Sequence, residues 1–211
     1  MSQHEPQATE SSRKNYLPYA LFIGLAFAAG IGLAWGVQQW RTTQQESAQA
    51  LATYGGDFML EAPWGASGLP DYRGKLVMAY FGFTSCPDVC PTSLGIMKAA
   101  MNQLSEQEQA QIRGLFISVD PERDLPQRTE EYAQYFHANF HGLSGTADAI
   151  AHVAKQYGVL YRKIPTPESA MAYTLDHSSV IYIIDAKGVL REKVKHGTTA
   201  AELATTLRQY L

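Results

Sequence analysis

Residues 76–83, LVMAYFGF, form an unbroken apolar run that stops at a loop holding both cysteines of the chain, TSCPDVCP (84–91). Bounded by Gly74-Lys75 on one side and the thiol loop on the other, the run reads as a buried strand. A helix follows it. In PTSLGIMKAAMNQLS (91–105), Leu94, Met97, Met101 and Leu104 fall on one helical face. Pro91 suits the first helical position, which puts Cys90 at or just before the helix start.

The rest of the chain repeats this alternation. GLFISV (114–119) reads as a second strand, and LPQRTEEYAQYFHANF (125–140) as a helix. TADAIAHVAKQYGV (146–159) is another helix, with Thr146 as N-cap and Gly158 at its end. VIYIIDAKGVLREKV (180–194) is two strands around an Asp185–Gly188 turn, and TTAAELATTLRQYL (198–211) closes as an amphipathic helix. Strands alternating with helices, then a terminal hairpin, predict an α/β fold: a mixed sheet with helices on both faces.

Ahead of this lies LPYALFIGLAFAAGIGLAWGV (17–37), without a charge. Its length spans a hydrocarbon core of about 30 Å at about 1.5 Å per residue. It exceeds the apolar core of a cleaved signal, about 7–15 residues. Tyr16, Tyr19, Trp35 and Trp40 lie near its ends, where aromatic rings favour the interface. Arg13 and Lys14 precede it and Arg41 follows. The expected organisation is a cytoplasmic tail (1–16), a transmembrane anchor (17–37), a polar linker (38–53) and one exported domain (54–211). A net charge of −3 lacks the footprint of a nucleic-acid binder.

Two cysteines are too few for a disulfide scaffold. A disulfide between Cys86 and Cys90 would close a tiny loop, where the entropic benefit is least. At a helix N-terminus the backbone amides favour a thiolate, so the pair reads as activated. A thioredoxin-type redox pair normally has two intervening residues; here Pro87, Asp88 and Val89 make three. A zinc site needs about four ligands, whereas Cu(I) is content with two thiolates and one imidazole. Six histidines are available. His137 and His141, four apart at a helix end, read as solvated; His4, His152 and His196 carry no signal. His177 sits just before a core strand, where the residues alone leave it between a structural and a ligating role.

FTSCPDVCP (83–91), SVDPERD (118–124), GLSGT (142–146), AKQYGV (154–159) and YTLDHSSVIYIID (173–185) occur in an order and at separations that resemble the Sco/SenC family of copper chaperones for cytochrome c oxidase assembly. The resemblance covers roughly residues 56 to 211. It implies a thioredoxin-like fold facing the periplasm, on an anchor in the inner membrane. It implies copper held by Cys86, Cys90 and His177, with Asp176 fixing a loop or orienting the ring. Asp88 would serve partner recognition or loop tuning, or simply stabilise a Pro-Asp turn. Asp120, Glu122, Arg123 and Asp124 would rim the site, or form a solvated turn. The implied partners are cytochrome c oxidase subunit II, a copper donor protein, a thiol reductant and the membrane. Met97 and Met101 read as core. A thiol–disulfide oxidoreductase using Cys86 and Cys90 is the competing reading. A thiol peroxidase is disfavoured, because Phe83 stands where such an enzyme has threonine.

Overall fold

The computed structural model describes residues 30–43, 51, 53–169 and 171–211. The chain divides into two units, residues 1–47 and 48–211. In the first, residues 30–43 are a helix, α1, on which Ile31, Leu33, Trp35, Val37 and Trp40 are exposed. The expected anchor overlaps the described residues only over 30–37; its remainder, the tail with His4, and most of the linker lie outside them. Among the described residues, no helix is long and apolar enough to cross a membrane.

The second unit opens with a hairpin, β1 (Met59–Ala62) and β2 (Gly65–Gly68), then a 3-10 turn (Leu69–Tyr72). The central strand β3 (Leu76–Gly82) leads into α2 (Val89–Met101), α3 (Glu106–Ala110) and β4 (Ile112–Ser118). Next come α4 (Pro126–Phe136), β5 (Phe140–Leu143) and α5 (Ala147–Tyr157). A second hairpin, β6 (Tyr161–Pro165) and β7 (Tyr173–His177), precedes β8 (Val180–Ile184), β9 (Leu190–Lys195) and α6 (Ala200–Tyr210).

Five strands form one mixed sheet in the order β5-β4-β3-β8-β9. β3 is parallel to β4 and β4 to β5, while β8 runs antiparallel to both β3 and β9. Every residue of β3 is buried, so both faces of the sheet centre are covered, as a continuous apolar run requires. Two-stranded sheets β1-β2 and β6-β7 stand apart from it. The core gathers Tyr80, Phe81, Phe116, Phe140, Tyr157 and Tyr182, with Met97 and Met101 fully buried among them.

Several boundaries differ from the sequence reading. α2 starts at Val89, so Cys90 and Pro91 both lie in its first turn; proline is tolerated there, where no intrahelical donor is lost. The expected 125–140 helix stops at Phe136, and Phe140–Leu143 instead adds a strand to the edge of β4. Helix 146–159 forms as α5, with the Thr146 hydroxyl accepting from the Ala149 N–H and Gly158 closing it in the left-handed conformation.

Gly142 explains how α4 and β5 lie so close. A Cβ there would sit 2.1 Å from the Thr129 carbonyl oxygen and 2.4 Å from the Glu130 nitrogen, both backbone atoms of α4. Gly142→Ala is therefore expected to destabilise the domain by about 3 kcal/mol, the upper part of the overpacking range. Urea denaturation followed by circular dichroism checks this.

Candidate metal centre

Topology alone brings two distant segments to one place. β8 is antiparallel to β3, pairing Tyr80 with Ile181, so the start of β8 lies beside the end of β3. The loop after β3 carries Cys86 and the first turn of α2 carries Cys90; β7, just before β8, ends in His177. Their ligating atoms, the two Sγ and an imidazole nitrogen, all lie within 4.8 Å of one another. His177 Nε2 is 3.3 Å from Cys90 Sγ. Among the described residues, this is the group of three or more His, Cys, Asp or Glu donors that could share an ion.

Each donor is held by its surroundings. The Cys90 N–H donates to Cys86 Sγ at 3.5 Å. Gly82 leaves room for the second sulfur: a Cβ there would lie 2.7 Å from Cys90 Sγ and 3.0 Å from Phe116. The His177 ring stands edge-on to Phe83 and Tyr80, with centroids 5.7 and 6.2 Å away. Its Nδ1 lies 3.1 Å from the Ser178 carbonyl oxygen. A carbonyl only accepts, so Nδ1 carries the proton and Nε2 presents its lone pair to the sulfurs.

The two thiols are free and differ sharply. Cys90 is fully buried, while Cys86 is 9% exposed. A hydrogen bond from the Cys90 thiol holds the Cys86 thiol far below its ordinary range, outweighing burial; the backbone N–H groups of Asp88 and Cys90 add to it. The same contact, with burial, pushes Cys90 up. The pair thus favours a thiolate on Cys86, hydrogen-bonded by the Cys90 thiol. Two sulfurs and one imidazole are a soft donor set of low number, suited to Cu(I) more than to a four-coordinate zinc.

The loop itself is tied from below. The Asp124 carboxylate is fully buried and accepts from the Thr84 N–H at 2.7 Å, the Thr84 hydroxyl at 2.5 Å and the Ser118 hydroxyl at 2.7 Å. Arg128 donates to the Thr84 and Ser85 hydroxyls at 2.7 and 3.2 Å. Asp120 is 1% exposed and Asp124 fully buried, while Glu122 between them is exposed, so the 120–124 segment is solvated only in part.

The other expected residues sit around this cluster. Asp88 is exposed at the N-cap of α2, 3.4 Å from the Thr92 hydroxyl. Asp176 points to the opposite face of β7 from His177 and pairs with Arg162 across the hairpin at 3.1 Å; the ring's Nδ1 faces Ser178. His141 is not on a helix end. It lies on β5, half-buried, 3.1 Å from the buried Glu130 carboxylate. His137 caps α4, His152 is exposed, and His196 lies 3.4 Å from the Ser93 hydroxyl. Gly82 and Ser178 were invisible in the sequence; each acts through a close approach that only the folded chain creates.

The fold and the cluster together describe a thioredoxin-like α/β domain bearing a Cys-Cys-His site. Residues 46–211 match the SCO1/SenC family, and the chain belongs to that family. It is 34% identical over 199 residues to the mouse mitochondrial protein SCO2 homolog, covering 90% of this chain and 78% of that one. An SCO2-like protein of Rickettsia conorii is 36% identical over 175 residues, covering 80% and 85%. Bradyrhizobium japonicum ScoI, solved with copper bound, superposes with a TM-score of 0.67 at 36% identity, covering 75% of this chain and 99% of that one. Yeast Sco1, also solved with copper bound, gives a TM-score of 0.68 at 31% identity, covering 75% and 88%.

Two outcomes follow from this geometry. Limited alkylation with iodoacetamide near pH 6 is expected to label Cys86 well ahead of Cys90, because the thiolate and the exposure both favour it; peptide mass spectrometry reads the ratio. Gly82→Ala is expected to displace the Cys90 sulfur and cost about 1–3 kcal/mol in stability, measured by urea denaturation, together with a loss of that selectivity.

Proposed function

We propose that this chain is a membrane-anchored metallochaperone that carries copper on Cys86, Cys90 and His177 and passes it to the dinuclear copper centre of cytochrome c oxidase subunit II. The observation that carries the reading is the convergence of two sulfurs and one Nε2 from loops 87 residues apart. Family membership and the copper-bound relatives support it. Copper is the cargo. Both thiols must lose their protons to hold it, so affinity rises with pH as Cys90 is deprotonated. Three donors leave a coordination position open, through which a client's ligand enters before the old ones leave.

The proposed organisation is a tail (1–16) on the cytoplasmic side, an inner-membrane anchor (17–37), a linker (38–53) and a periplasmic domain (54–211). The apolar length of 17–37 and its flanking charges support it. Asp88, exposed beside the thiols, faces the client, and Asp176 holds the hairpin that carries His177. A copper donor protein and a thiol reductant complete the set of partners, since an exported dithiol tends to oxidise.

A second reading rests on the asymmetry of the thiols. The Cys86 thiolate would attack a client disulfide to give a mixed disulfide. Cys90, losing its proton, would then attack Cys86, releasing the client as a dithiol and leaving the Cys86–Cys90 disulfide for the reductant to reopen. Only the copper reading needs His177. Copper titration of the reduced chain beside His177→Ala separates the two. The variant is expected to lose Cu(II) binding while it retains disulfide exchange. Equal, weak copper binding by both proteins would favour the reductase.

A further inference from the structure

The hairpin β6-β7 that delivers His177 makes no ladder with the five-stranded sheet. His177 is its last residue, four residues beyond Tyr173, or about 13 Å along an extended strand. At the His177 end, the Ser178 N–H donates to the Leu160 carbonyl at 2.9 Å, beside the hairpin's own first strand, and Ser178 and Ser179 lead directly into β8 of the sheet. The far end is fastened to the segment after β4. The Arg123 guanidinium lies 3.8 Å over the Tyr173 ring and donates to the Tyr173 carbonyl at 2.9 Å. The Tyr173 hydroxyl donates to the Asp120 carboxylate at 2.7 Å, and Asp120 pairs with Arg123 in turn. Lys163 of β6 reaches the same place, 2.6 Å from Glu122.

This segment also grips the sulfur side. Asp124, four residues from Asp120, is the carboxylate that holds Thr84 at the root of the thiol loop. The two halves of the site are therefore fastened to opposite ends of one five-residue stretch. Phe83 lies between them, with Arg123 5.9 Å over its ring and His177 5.7 Å away at its edge.

We propose that the stretch Asp120–Asp124 is a brace that sets the distance between imidazole and sulfurs, with Arg123 and Tyr173 as its positioning residues on the histidine side. The metal consequence rests on the copper reading; the spacing does not. Without the Tyr173 grip, β7 keeps its partner strand and its short link into β8, but its far end loses the tether to the stretch that also holds the thiol loop.

The test compares the full chain in detergent with Tyr173→Leu, Tyr173→Phe, His177→Ala and the double variant Tyr173→Leu/His177→Ala. Copper(I) affinity is read by competition with a chromophoric chelator. Tyr173→Leu is expected to weaken it about 10- to 100-fold, as loss of a ligand-orienting partner does, and to alter the nitrogen coupling in the Cu(II) electron paramagnetic resonance spectrum. Tyr173→Phe, which keeps the ring over Arg123, should weaken it less; it also carries the test if Tyr173→Leu does not fold. In the His177→Ala background, removing Tyr173 should have no further effect. Unaltered affinity in Tyr173→Leu, or equal losses in both backgrounds, overturns the brace. A metal-free arm uses Cys86→Ser with His177→Cys and diamide as oxidant. There, Tyr173→Leu should slow closure of the disulfide between positions 90 and 177 by about tenfold or more, as misplacement of reacting atoms does. If no protein binds copper while that closure still slows, the copper reading falls and the brace stands. An unchanged closure rate overturns the brace whatever copper does.

Discussion

The architecture depends on one strand being buried on both faces. β3 has no exposed residue, so its backbone must be paired on both edges and its side chains covered from both sides. The chain meets this demand with β4 on one edge and β8 on the other, running in opposite senses. That choice fixes where the Cys-Cys-His cluster forms. The end of β3, the end of β4 and the start of β8 all arrive at the same edge of the sheet. The thiol loop, the Asp120–Asp124 stretch and His177 are the three segments that leave or enter there.

Within the site, two opposing effects decide the protonation state. Burial disfavours a charged sulfur at both cysteines. At Cys86 the hydrogen bond from its neighbour and two backbone amides outweigh that cost. At Cys90, fully enclosed and acting as the donor, they do not. The balance favours an anionic sulfur at Cys86, held by the proton on the more deeply buried Cys90. The same arrangement serves a soft ion that displaces the proton and a dithiol that exchanges disulfides. The imidazole is the part that only an ion requires.

Much of this was legible before folding. The apolar run of β3, the prolines around the cysteines, the Thr146 and Gly158 boundaries of α5 and the Asp185 turn are local signals, and the structure carries each of them. β5 was not legible. Its four residues follow α4 without a breaker, and they extend only because β4 offers a free edge. β6 reads as YRKIP, polar and largely exposed, with no periodicity to mark it. His177 could be singled out by family resemblance but not by composition, since its role depends on a contact 87 residues away. The acidic residues of SVDPERD look like a solvated loop because charge usually means surface. Asp120 and Asp124 are buried here because hydroxyls, an amide and a guanidinium satisfy them.

The isolation of β6-β7 from the main sheet carries a thermodynamic corollary. A two-stranded ribbon with a mostly exposed β6 can part from the body without breaking any rung of the five-stranded ladder. Its opening is a local fluctuation, costing less than global unfolding. A site built this way can loosen on the imidazole side while its scaffold stays intact, so opening it does not cost the stability of the whole fold.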